Sequence, residues 1–391
     1  MENFRFYSPT EIVFGKQSEN EVGELLKQQG ATNVFIHYGG GSVVRSGLLD
    51  RVIATLDENK IQHFELGGAR PNPRSGLVYE GIKLCKQNKA DFVLAVGSGS
   101  AIDSAKAIAA GSKYDGDFWD FYEGKARIKD ALPVGVILTL PAAGSEASQS
   151  AVITQEKGML KKGITSRFYR PRFAIVDPEL TYTAPMYQMA CGVVDMMGHI
   201  MERYFTNSSG TDLTDAMSEA VLRQIILAAD NMIKDNKDYE ARATLCFAGT
   251  IAHNGILGVG KKEDWTTHFL EHELSALYDV AHGAGLAVMY PAYMKYVMDT
   301  NIERFRKLAI NVFEIKETND SKSVALQGIE ALKAFYRKIG MPTNFQELGV
   351  KKEDIPLLLA TLEKNRGQKF GNFQELTLDD AKNIYLLACE S

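Results

Sequence analysis

Histidine is scarce in this chain, seven in 391 residues, and three of the seven fall in one short stretch, "HFLEHELSALYDVAH". His268 and His272 are four residues apart, so on a helix they share one face. His282 follows ten residues later, ahead of "GAGLAV", where glycines permit a turn. Upstream, "VVDMMGHIME" sets Asp195 and His199 four apart on a second helical segment. Two imidazoles on one helix face are a common ligand pair for a divalent metal. Asp-x-x-x-His by itself also fits a surface pair or a helix cap. Here, however, Asp195 and His199 lie in strongly apolar sequence, where an unpaired polar group is costly to bury and a bound cation relieves the cost. One carboxylate with three imidazoles is a mixed N/O donor set that accepts Zn²⁺ or Fe²⁺, among others. Five groups are thus available for four positions, and their spacing does not select among them.

Glycine-rich turns form the second chemical feature. "VGSGSAIDSAK" places Gly97, Ser98, Gly99 and Ser100 between a run of apolar residues and a helix start. Small residues let a pyrophosphate approach the backbone, and a helix start offers free N–H groups and positive dipole. The spacing is not G-x-G-x-x-G, and a tight turn of any α/β protein would also fit. "YGGGS" (38–42), "ARPNP" (69–73) and "TLPAAGSEAS" (139–148) each follow another strand-like run. Turns at strand C-terminal ends are where open α/β sheets bind ligands. Ser42, Asn72, Ser100, Asp103 and Thr139 would line a site suited to an extended dinucleotide. Gly39–Ser42 carries no acid to receive a ribose 2′-hydroxyl, only N–H groups and one hydroxyl. That is an anion-accepting turn, fitting a 2′-phosphate, although three glycines also suit any sharp bend.

These residues need elements to position them. Residues 1–185 alternate strand-like and helix-like segments, the rhythm of a parallel sheet with crossover helices. Strands are expected at 33–38, 61–66, 91–97 and 133–140, and helices at 47–59, 75–89 and 100–111. "DFVLAVG" is nearly all apolar, as a strand covered on both faces must be. Residues 186–391 carry almost only helical periodicity. The expected architecture is a Rossmann-like α/β dinucleotide-binding domain followed by an all-helical metal-binding domain.

Composition narrows the function classes. Apolar residues make up 45% and charged residues 24%, with 44 basic against 49 acidic residues and a net charge of −5. No long run of like charge points to nucleic acid or a membrane surface. No window of about 18 apolar residues would span a bilayer. The start "MENFRFYSPTEIVFG" has no basic segment followed by an apolar one, so no signal peptide is expected. Cys85, Cys191, Cys246 and Cys389 are far apart and read as reduced thiols of a cytoplasmic protein.

"YGGGS", "PNP", "GSGSAIDSAK", "TLPAAGSE", "GVVDMMGHIMERYF", "HNGILGVG" and "HELSALYDVAHGAGLAV" together resemble the landmarks of the iron-dependent (group III) alcohol dehydrogenases. The match is strongest to their NADPH-dependent butanol dehydrogenase and aldehyde reductase branch. It runs from about residue 3 to the C-terminal segment. The resemblance implies a dehydroquinate synthase-like fold, likeness to enzymes that reduce aldehydes to primary alcohols, NADP(H), one Fe²⁺ or Zn²⁺ ion, and a homodimer. It places the metal on Asp195, His199, His268 and His282. His272 is left as the spare imidazole, with a proton-relay or supporting role. It places cofactor contacts on Gly39, Gly41 and Ser42 at the 2′-phosphate, on Asn72, and on Gly97, Ser98, Gly99, Ser100 and Ala101 at the pyrophosphate. Asp103 lies beside these. Thr139, Leu140 and Ala143 follow at the next turn, Lys162 near the nicotinamide ribose and Leu180 near the adenosine. The chain departs from the common pattern at Ser98 (usually Gly), Ala143 (often Thr), Ser150 (often Asn) and Arg70 (commonly acidic). An NAD- and metal-dependent lyase of the dehydroquinate synthase type shares the architecture. It would want basic residues for a phosphorylated acid and a glutamate ligand. A helical metal protein without enzymatic activity would leave the phosphate-type turns without a purpose.

Overall fold

The structure, a computed structural model, describes residues 1–390 and divides into two compact units. The first, Tyr7–Ala184, is built on a six-stranded, all-parallel sheet. Its strands are β1 (Glu11–Phe14), β2 (Asn33–Tyr38), β3 (Gln62–Leu66), β4 (Phe92–Gly97), β5 (Val134–Leu138) and β8 (Phe173–Val176). Their order across the sheet is β1-β8-β5-β4-β2-β3. An antiparallel hairpin, β6 (Ser150–Gln155) with β7 (Leu160–Thr165), stands apart from it. Gly158 and Met159, both at positive φ, close the hairpin.

The helices of this unit are α1 (Val22–Gln28), α2 (Ser42–Arg45), α3 (Leu48–Glu58), α4 (Ser75–Asn88), α5 (Gly99–Ser112) and α6 (Trp119–Tyr122). Every residue of β4 is buried, and alternate residues face opposite layers. Phe92, Leu94 and Val96 join Val34 and Ile36 against Val22, Leu26, Leu48, Val52 and Leu56 of α1 and α3. On α4 and α5, glycines allow close approach: a Cβ on Gly81 would stand 2.4 Å from Ile108, and one on Gly111 2.3 Å from Ile82. The expected strands and helices therefore form, with ends shifted by a few residues. β1, β8 and the hairpin were not expected. β1 and β8 have four residues each, too few for a periodic signal.

The second unit runs from Pro185 onward and takes in Met1–Phe6. The sequence-based boundary gave those six residues to the α/β domain. They join the helical unit through backbone: Glu2 N–H donates to the Gly260 carbonyl at 2.9 Å, and the Met1 amino group to that of Ser209. The helices are α7 (Met186–Tyr204), α8 (Asp212–Lys234), α9 (Tyr239–His253), α10 (Thr266–Tyr278) and α11 (His282–Val297), then α12 (Ile302–Phe313), α13 (Ser321–Lys338), α14 (Phe345–Leu348), α15 (Ile355–Arg366) and α16 (Leu378–Cys389). Two residue pairs of extended chain, β9 (Lys369–Phe370) with β10 (Leu376–Thr377), are the departure from an all-helical reading. α7 is the centre: Met189–Tyr204 is buried throughout, packed by α8, α9, α10 and α11. No described helix is long and apolar enough to cross a membrane.

Candidate metal centre and dinucleotide turns

Three helices supply the histidine cluster. Asp195 and His199 lie one turn apart on α7, among Val193, Val194, Met196, Met197 and Ile200. His268 and His272 lie one turn apart on α10, and His282 is the first residue of α11. Two glycines let these helices close up. A Cβ on Gly198 would stand 3.0 Å from the Tyr290 ring and 3.4 Å from His268, and one on Gly283 only 2.1 Å from the Cys191 carbonyl.

Asp195 Oδ1 is the focus. It lies 3.9 Å from His268 Nε2 and 3.7 Å from His282 Nε2. Ligand atoms of Asp195, His268 and His282 all fall within 4.8 Å of one another. Atoms each about 2.1 Å from one ion stand roughly 3–4 Å apart, so this spacing fits a shared divalent cation. Asp195 Oδ1 and His268 Nε2 are buried with no hydrogen-bond partner among the described residues. That is a costly arrangement which a cation satisfies. His199 stands outside the 4.8 Å group, its ring centroid 4.8 Å from that of His268. Its Nδ1 lies 3.0 Å from the Asp195 backbone carbonyl and 3.3 Å from Asp195 Oδ1. With the Nδ1 proton committed there, Nε2 is the atom left for a metal.

The electrostatics favour positive charge at this point. Burial pushes the Asp195 carboxyl up, yet the charges of His199 and His282 and the neighbouring His268 hold it well below the carboxylate range. Burial would depress His268, but Asp195 and Glu202 carry it up to about 9. His199, more weakly supported, is held below the ordinary imidazole value by burial.

Two carboxylates behind the cluster were missed by sequence reading. Glu202 Oε1 accepts from His268 Nδ1 at 2.7 Å and from the His268 backbone N–H at 3.0 Å. Glu271 Oε2 accepts from His282 Nδ1. Both carboxylates are fully buried. Glu202 lies seven residues after Asp195, two helical turns along the same face, and that spacing was a usable signal. His253 was also missed; its ring packs 4.1 Å from His199, and its Nδ1 accepts from Arg203 at 3.1 Å. His272 is buried one turn beyond His268, its ring 5.6 Å from that of His282.

In the α/β unit the expected cofactor turns come together because the strands are parallel and in register. Tyr38 pairs with Val96, and Gly97 with Leu138, so their following turns emerge side by side. Thr139 N–H donates to the Gly97 carbonyl, and Gly68 N–H to the Gly39 carbonyl, both at 3.0 Å. A Cβ on Gly97 would meet Ala101 Cβ at 2.8 Å and come within 3.7 Å of Gly39 N, so this position demands glycine. Ser98, Gly99 and Ser100 are half-buried at the start of α5, and Ala101 is buried beneath them. Thr139, Leu140 and Ala143 are half-buried at the neighbouring turn, where Ala143 Cβ lies 3.9 Å from a Cβ position on Gly99.

Gly41 and Ser42 are exposed and open α2. Arg45, not singled out from sequence, folds back so that Nη1 lies 2.4 Å from a Cβ position on Gly41. Asn72 is buried with φ of 54°, a left-handed conformation that asparagine tolerates. Beside Lys162, the residue expected near the nicotinamide ribose, the buried Lys161 ammonium donates to Asn72 Oδ1 at 3.1 Å. Adjacent residues of a strand point to opposite faces, so Lys162 is turned the other way on β7. Asp103 faces its own unit, accepting from Ser145 Oγ at 2.5 Å and Val152 N–H at 2.8 Å. It therefore orders the 139–148 turn and β6. Leu180, partly buried, packs against the hydrophobic core on that face of the sheet.

Known proteins match the whole of this arrangement. The iron-containing alcohol dehydrogenase family matches residues 9–178, and the C-terminal domain of the Fe-containing alcohol dehydrogenase family matches residues 189–389. A probable NADH-dependent butanol dehydrogenase of Bacillus subtilis is 45% identical over 98% of this chain and 99% of its own. An NADPH-dependent aldehyde reductase of Escherichia coli is 36% identical over the same shares. The crystal structure of NADH-dependent butanol dehydrogenase A from Thermotoga maritima superposes with a TM-score of 0.97 at 39% identity, covering 100% of this chain and 99% of that one. The chain belongs to the iron-containing alcohol dehydrogenase family, in its butanol dehydrogenase and aldehyde reductase branch, and is an oxidoreductase that interconverts aldehydes and alcohols.

Proposed function

We propose that the protein reversibly reduces unbranched aldehydes to primary alcohols with NADPH, using one divalent ion held by Asp195, His199, His268 and His282. The observation that carries the metal reading is the buried Asp195 Oδ1, which makes no hydrogen bond among the described residues and faces His268 Nε2 and His282 Nε2. When bound, the metal supplies Lewis acidity at the carbonyl oxygen and the nicotinamide supplies the hydride. Glu202 and Glu271 fix the rings of His268 and His282 with Nε2 directed at Asp195. His272 lies beside the ligands, where it is suited to pass the alcohol proton. The apolar residues around Asp195 and His199 exclude water and strengthen every charge interaction there. Fe²⁺ is the proposed resident, supported by the family, and the N/O donor set also accepts Zn²⁺.

The cofactor contacts are proposed at Gly39, Gly41, Ser42 and Asn72, at Gly97–Ala101, and at Thr139, Leu140 and Ala143, with Leu180 and Lys161. NADPH over NADH is supported by the acid-free turn at Gly39–Ser42 and by the Arg45 guanidinium beside Gly41. Relatives by name divide on this point, some NADH-dependent and others NADPH-dependent. A homodimer is proposed on the resemblance alone, and sedimentation would test it. Four free cysteines support a reducing, cytoplasmic setting.

The experiment is a panel of aldehydes with NADPH and with NADH, on protein reconstituted separately with Fe²⁺ and Zn²⁺. NADPH oxidation with butanal is expected. Cofactor returned unchanged, as a lyase returns it, would overturn the reading.

A further inference from the structure

His282 differs from the other members of the cluster. It is the first residue of α11, follows Asp279 at a φ of 53°, and its side chain is 24% exposed against 5% for His268. Helix packing does not fix its ring as it fixes those of residues inside α7 and α10. A side-chain hydrogen bond does so instead, from Nδ1 to Glu271 Oε2. The other oxygen of Glu271 accepts from Ser275 Oγ, one turn along α10. Glu271 is fully buried. Space for it is made by Gly285, where a Cβ would lie 2.6 Å from Glu271 Oε1, 2.8 Å from Cγ and 3.1 Å from Cδ.

We propose that Glu271, seated against Gly285 and held by Ser275, is the residue that positions His282 in the metal centre. It keeps the His282 proton on Nδ1 and the ring turned so that Nε2 faces Asp195. The inference rests on the reading that His282 binds the ion. A carboxylate behind an imidazole ligand fixes its tautomer and raises its basicity. Removing such a partner weakens metal binding without removing a ligand. Glu271 and Gly285 are thus two halves of one device, fourteen residues apart in sequence and in contact between α10 and α11.

The test uses the full chain loaded with Co²⁺, read by competition with a chelator and by the visible spectrum of the bound ion. Glu271→Gln should raise the metal dissociation constant roughly 10–100-fold and shift the spectrum. Gly285→Ala keeps the carboxylate but displaces it, and should reproduce both changes. The double variant should be little worse than either single one, since both remove the same contact. NADPH binding by fluorescence should stay at the wild-type value in all three, which separates positioning from unfolding. Wild-type affinity and spectrum in Glu271→Gln, or strictly additive losses in the double variant, would overturn the inference while leaving the metal centre standing. Failure of the wild-type protein to take up Co²⁺ would overturn both.

Discussion

Asp195 and His282 are 87 residues apart in sequence, on α7 and α11, and Asp195 Oδ1 and His282 Nε2 stand 3.7 Å apart. If they share an ion, His282→Ala should lose about one equivalent of metal per chain, measured by elemental analysis after reconstitution. Unchanged metal content would remove His282 from the site.

His272 should behave differently from its neighbours on the cluster. An imidazole ordinarily titrates near neutral pH and serves as a general acid or base. His272→Ala should keep its metal and bind NADPH, yet lose roughly 10²–10⁴-fold in turnover and change the pH–rate profile. Loss of metal would make His272 a ligand, and an unaltered profile would end the proton-transfer role.

The proposed preference for NADPH rests on the exposed turn after β2. Gly40 has no heavy atom within 4 Å of a Cβ position, so Gly40→Asp introduces a carboxylate without strain. Its charge should repel a 2′-phosphate, and kcat/KM with NADPH should fall more than with NADH. Arg45→Ala should lower NADPH efficiency on the order of 10-fold or more, the worth of one charged hydrogen bond. A wild-type protein that prefers NADH would overturn this assignment.

Lys161 and Lys162 can be separated directly. Lys161 is buried on Asn72, whereas Lys162 faces away. Lys161→Met should raise the KM for NADPH, with Lys162→Met near wild type. The reverse result would favour Lys162 over Lys161 as the cofactor residue.

His37, in the α/β unit, predicts an acid sensitivity of folding. It is buried in β2, its Nδ1–H donates to the Leu66 carbonyl at 2.9 Å, and burial lowers it from 6.5 to about 4. Above pH 6.5 it is neutral in both folded and unfolded chains and adds no pH dependence. Between 6.5 and about 4 only the unfolded chain binds the proton, so stability falls as pH falls, by ~3 kcal/mol in all at about 1.4 kcal/mol per pH unit. His37→Phe should lose this component, measured by urea unfolding at pH 7 and pH 4.5. Equal slopes in both proteins would refute it.

Periodicity made much of the architecture legible. The all-apolar β4 announced a strand covered on both faces, and the four-residue spacings of Asp195–His199 and His268–His272 announced shared helix faces. Short elements escaped: β1 and β8 carry four residues each, and the place of Met1–Phe6 depends on hydrogen bonds to Ser209 and Gly260. The hairpin that carries Lys161 and Lys162 also escaped, and alternation along β7 turns the two side chains opposite ways. Only the folded hairpin decided which of them meets Asn72.

By itself, the sequence determined the classes of group available, which of them share a helix face, and where glycine permits backbone or side chain to approach. These are local properties, set by the repeat of one helix or strand. The placements of Glu202 behind His268 and of Glu271 behind His282 were decided only by tertiary structure. Each acts on a partner through contacts that exist only once the intervening chain has folded. His268 meets Glu202 when α10 packs on α7, and Glu271 reaches His282 because the turn after α10 brings α11 back across Gly285. Spacing along one helix carries no information about the side chains of the next, and that is where the centre is assembled.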